Sequence, residues 1–207
     1  MRDSVRLAFQ GFTTRFEGAL DYMYLDVLGL VTTGIGNLID PIYTATGLPW
    51  VHRSDGSPAG RDQIILEWQR VKALQAWKGY GGGYFGDGAQ IILTPEGVDA
   101  LVDGKLMANE AILKRRFVLW EQWPADAQLG TLSVAWAAGP AWVAPNFDMA
   151  ARALDFAGCR TECWLNDKGN PGLTPRNLAN QSLFLNANSV QLAGGDFETL
   201  YYPGAPQ

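Results

Sequence analysis

The chain has 207 residues and a mass of 22.6 kDa, enough for one domain with a substantial core that divides into two lobes. With 47% hydrophobic and 18% charged residues it belongs to the globular class. A net charge of -5 and a pI near 4.8 exclude broad nucleic-acid binding, which needs a basic face to displace counterions. Two cysteines and one histidine make neither a disulfide scaffold nor a cluster with metal-ligand spacing, so a zinc enzyme is not expected.

The N-terminus, "MRDSVRLAFQGFTTRFEG", is charged at positions 2, 3, 6 and 15 and lacks the apolar stretch and cleavage site of a secretory signal. No run elsewhere approaches the roughly 18 to 20 apolar residues that span a bilayer. The expectation is a protein made in the cytoplasm, not integral to a membrane, that leaves only through a holin-type or secretion machine.

Val5, Ala8, Phe9, Phe12 and Phe16 recur at three- and four-residue steps and predict an amphipathic helix over 4–17, with Glu17 at its end and Gly18 as its stop. From Tyr22 to Ile39 the β-formers and glycines predict a hairpin or small three-stranded sheet turning at Asp26 to Gly29. Alternation in "LVTTGIGN" puts Val31, Thr33 and Ile35 on the core face. Thr32 then lies on the other face with Gly34 and Gly36, on a surface kept low for an approaching molecule.

Ser57 and Pro58 read as the start of a helix running to about Lys78, broken by the glycines of 79–88. Those glycines read as a loop, because no Lys-Ser/Thr pair follows to make a phosphate cradle. "TPEG" at 94–97 opens another helix with a cap and a first-turn proline. Residues 124–140 are apolar almost all round, as a central buried helix would be, and further helices are predicted at about 147–157 and 175–188. The fold class is α+β: a β-containing lobe over about 18–57, a helical lobe over about 90–190 joined by helix 4–17, and a docked tail at 191–207. Ligand sites favour the cleft where such lobes meet.

Glu17, Asp26 and Thr32, followed by Gly34 and Gly36 in "TTGIG", resemble the signature of the phage-type lysozymes, glycoside hydrolase family 24. "PADAQLGTLSVAWAAGP" and "NPGLTPRNLANQSLF" are similar to that family's helical half, with Asn37, Asn177 and Asn180 standing where other residues are common. The resemblance implies a single lysozyme-like domain and a muramidase that works without cofactor on peptidoglycan glycan strands, as in endolysins. Glu17, Asp26 and Thr32 would be catalytic, and Gly34, Gly36 and Arg176 would line the substrate.

Chemically, a glutamic acid at a helix C-terminus, beside Phe16 and shielded between lobes, would hold its proton near neutral pH. Asp26 among free turn amides would stay ionised, and Thr32 would hold a water against it. A carboxyl gap of roughly 6.5 to 9.5 Å would make the hydrolysis inverting. Two alternatives stay open: a lytic transglycosylase using Glu17 alone, and a wall-binding or phage-particle component without catalysis. Singly, a helix-end Glu, a hairpin Asp and a strand Thr are ordinary structural choices; together at this spacing they point to a site. Arg176 either meets substrate or pairs inside the fold. Cys159 and Cys163, four apart beside Gly158, read as two packed thiols, with a small disulfide loop after export as the alternative. An acidic wall enzyme gains no general steering toward an anionic polymer, which leaves room for an effector restrained by an inhibitor or immunity partner. A monomer is expected.

Overall fold

The computed structural model describes residues 1–206 and is of the α+β class. Helix α1 (Asp3–Glu17) leads into strands β1 (Leu20–Leu25), β2 (Val31–Gly34) and β3 (Asn37–Leu38). There follow α2 (Ile42–Ala45), β4 (Trp50–His52), α3 (Arg61–Ala73), β5 (Ile91–Leu93) and α4 (Pro95–Arg116). Helices α5 (Ala125–Ala138), α6 (Pro145–Arg152), α7 (Phe156–Glu162) and α8 (Leu173–Ala193) complete the chain. None of the helices among the described residues is long and apolar enough to cross a membrane. Two compact units result, Glu17–Lys105 and a helical unit of Met1–Phe16 with Leu106 onward.

The first unit carries the sheet. Gly18, at φ +71, takes the left-handed turn that ends α1. β1 and β2 run antiparallel with Tyr24 opposite Thr32 and Leu25 opposite Val31, and β2 continues into β3 with Thr32 opposite Leu38. Met23, Leu25, Val31, Ile35 and Ile39 fill the core beneath. The unit extends well beyond the expected 18–57, since α3, β5 and the first half of α4 belong to it. A second ribbon, β4 with β5, pairs Trp50 with Leu93 and His52 with Ile91. Two three-residue strands some forty residues apart carry no local pattern, which is why the sequence does not announce them.

Helix α3 starts at Arg61 rather than Ser57, and the reason is local. The Asp55 carboxylate accepts from Ser57 N at 2.9 Å and Ser57 Oγ at 2.7 Å, holding Ser57 in a turn. Gly60 N donates instead to Gln63 Oε1 at 2.7 Å, and the helix begins there. It ends at Ala73, short of Lys78, with Ile64 and Val71 buried but Ile65, Trp68 and Leu74 only half-buried.

In the helical unit α5 is buried continuously from Ala125 to Trp136, and α8 packs antiparallel along it, Ser133 against Arg176 and Asp126 against Asn186. Gly130 permits the approach: a Cβ there would lie 3.1 Å from the Phe184 ring. Trp120, Trp123, Phe117, Phe147, Phe156 and Phe184 form one chain of ring contacts around this pair. The single helix expected at 147–157 is two, because Leu154 adopts φ 57 and Asp155 caps α7 through Gly158 N at 2.8 Å. Cys159 and Cys163 are free and buried, and burial pushes both thiols up, Cys163 to about 12, so they pack as small hydrophobes.

Candidate active site

Glu17 closes α1 and is exposed. The carboxyl shielded beside Phe16 that the sequence leads one to expect is not found, since Glu17 is exposed.

Asp26 is placed by the β1–β2 turn. Its Oδ1 accepts from Leu28 N at 2.8 Å and Leu30 N at 2.9 Å, while its backbone N–H donates to Leu30 O and its carbonyl receives Gly29 N–H, each at 3.0 Å. Gly29 supplies the positive φ, +79, that closes the turn. One carboxylate oxygen is thus consumed in the turn, and Oδ2 is left for chemistry.

Thr32 departs from expectation. It is only 5% exposed, and its neighbours Val31 and Thr33 are fully buried, so β2 is covered on both faces. The Thr32 hydroxyl donates to Leu30 O at 3.3 Å, and toward a water it can act only as an acceptor. Gly34 and Gly36 do not keep an open surface low; at φ +61 and +69 they turn β2 into β3. A Cβ on Gly34 would sit 3.1 Å from Asn37 Oδ1 and 3.8 Å from Val98, space the protein itself fills. Asn37 stitches that turn by accepting from Ile35 N and donating to Leu101 O, and Lys105 Nζ donates to Gly36 O at 2.9 Å.

The residue that joins these parts is one the motif does not name, Tyr24. Its hydroxyl is pushed up to about 12, first by burial and then by the negative charges of Glu17 and Asp26, while the Gly36 N–H donates to its oxygen. Both carboxylates therefore act on a single phenol, which also lies across the ladder from Thr32. A signal was present in the sequence: Tyr24 and Asp26 are two apart at the end of a strand, a spacing that puts side chains on one face.

Arg176 lies in the helical unit and is 1% exposed. Its guanidinium donates to Ser133 O at 3.1 Å and Ser133 Oγ at 3.2 Å and stands 4.9 Å from the Phe16 ring centroid. In place of a sugar contact, it clamps α8 to α5 and braces the residue before Glu17. Asn177 is similarly engaged, exchanging two hydrogen bonds with the Leu165 backbone, whereas the buried Asn180 side chain has no hydrogen-bond partner at either polar atom.

The chain matches no family model, and no curated protein matches it.

Proposed function

We propose that the chain is a muramidase that hydrolyses the β-1,4 bond between N-acetylmuramic acid and N-acetylglucosamine in peptidoglycan. The observation that supports this reading best is that Glu17 and Asp26 flank the single strand β1 and that both charges raise the Tyr24 hydroxyl on it, since acid/base glycoside cleavage requires two carboxyls of different surroundings near one another.

Glu17, at the C-terminal end of α1, donates its proton to the leaving glycosidic oxygen once a bound sugar covers it. Asp26, oriented by two amides on Oδ1, uses Oδ2 to take a proton from the attacking water. Tyr24, its hydroxyl pushed up to about 12, remains neutral. Thr32 accepts a hydrogen from the same water. Because water attacks opposite the departing oxygen, the anomeric configuration inverts.

The engagement of Asp26 Oδ1 in the turn favours one rival, a lytic transglycosylase in which Glu17 acts alone and the muramic-acid hydroxyl attacks. Mass analysis of fragments released from purified walls separates the two. Hydrolysis leaves a reducing muramic-acid end, and an anhydro end throughout would refute the hydrolytic reading.

A further inference from the structure

The segment between α3 and β5 carries three aromatic side chains that the catalytic reading does not use. Trp77 and Tyr84 stack at 4.8 Å with 20° between their planes, and Tyr80 meets Trp77 edge-on at 5.3 Å and Tyr84 at 6.0 Å. The rings stay 37%, 68% and 47% exposed for Trp77, Tyr80 and Tyr84. Three large rings clustered in water on a glycine-rich loop expose apolar area that a monomer has no reason to keep.

The cluster is held rigidly and beside the site. Phe85, 2% exposed, anchors it from below with its ring 5.6 Å from Tyr84. At one end Gln75 Nε2 donates to Gly29 O at 2.9 Å, in the same turn that Asp26 caps. At the other, Gly82 lies flat on Tyr24: a Cβ there would stand 3.3 Å from the Tyr24 ring and collide with Leu20. The segment therefore runs from the Asp26 turn to the Tyr24 ring. Gly79 and Gly81, both at φ +86, bend the backbone of the segment.

We propose that Trp77, Tyr80 and Tyr84 form a stacking platform for a pyranose ring of a β-linked amino-sugar strand, at a position flanking the scissile bond. Such a ring presents an axial C–H face that packs on an aromatic face, with hydroxyl and amide groups around its rim. The cluster offers that complement, apolar faces edged by two phenol hydroxyls and an indole N–H. Lys72 donates to Gly29 O at 3.0 Å while paired with the Asp40 carboxylate, and the Lys78 side chain passes beside the same glycine, so Lys78 is the cation this edge offers to an anionic strand.

This inference rests on the muramidase reading, and the test tells the two apart. Calorimetric titration with the β-1,4-linked N-acetylglucosamine tetramer is run on wild type, Trp77→Ala, Tyr80→Ala and Trp77→Phe, with far-UV circular dichroism checking that each is folded. The expected result is Kd raised about tenfold in the alanine variants, the scale of a lost aromatic contact, and within about twofold in Trp77→Phe, which keeps a ring face. In wall clearing the alanine variants raise KM and leave kcat within about twofold. Tetramer binding equal to wild type in folded alanine variants overturns the platform, as does a wild type that does not bind the tetramer. Platform-dependent binding by a protein that clears no walls removes the enzyme reading and leaves the platform standing.

Discussion

Asp26 is both a turn cap and the carboxylate assigned to chemistry, and two substitutions separate these duties. Asparagine retains an Oδ1 that can accept from Leu28 N and Leu30 N, so Asp26→Asn should keep the turn and shift stability by only a few tenths of a kcal/mol while losing hydrolysis. Asp26→Ala removes the cap as well and should cost about 1 to 2 kcal/mol in thermal unfolding. Equal activity in Asp26→Asn and wild type would confine Asp26 to the turn. Tyr24 gives a second residue-scale prediction. An unfolded tyrosine ionises near pH 10 and this one at about 12, so the folded chain binds the extra proton between those values. Stability from this group is complete below pH 10 and is lost as pH rises toward 12. Ultraviolet titration should show one tyrosine ionising last, and Tyr24→Phe should abolish that step.

At the scale of elements, α5 and the tail are joined by one buried carboxylate. Asp126 accepts from Tyr201 N at 2.9 Å through Oδ2, and from Tyr202 N and Asn186 Nδ2, both at 3.0 Å, through Oδ1. Burial raises this carboxyl above its ordinary value despite those donors. Its contribution to stability is therefore fullest below the ordinary carboxylate range and declines as pH rises through the raised value. Asp126→Asn should remove that dependence. It can accept on one oxygen only, so a tail amide is left facing an NH2 group, and unfolding should become easier by about 1 to 3 kcal/mol. Tail residues exchanging their amide protons as slowly in the variant as in wild type would contradict the role given to Asp126. The docked tail itself is legible in the sequence as an aromatic run before Pro and Gly; its anchor is not, since an aspartate in a first helical turn reads as a dipole partner.

For the whole molecule, what the sequence reveals follows how far each determinant reaches along the chain. The amphipathic stripe of α1, the Asp26 turn, the cap at Thr94 and the largely apolar α5 are local and legible. Distant pairing is not, which hides the β4–β5 ribbon and the assignment of α3 to the sheet-bearing unit. Alternation misplaces Thr32 because it assumes one covered face, whereas β2 lies between two strands and is buried on both sides. Arg176 reads as a substrate contact only while its burial is unknown. The motif residues Glu17 and Asp26 are visible from spacing, and Tyr24 is hinted at by its place two residues before Asp26, but the action of both charges on its hydroxyl requires the fold. The central claim, that Glu17 is the acid of a wall hydrolase, is tested most directly by turbidity of purified peptidoglycan. The account predicts steady clearing by the wild-type protein and loss of at least about 100-fold in rate with Glu17→Gln; clearing by Glu17→Gln at the wild-type rate, or none by either protein, would contradict it.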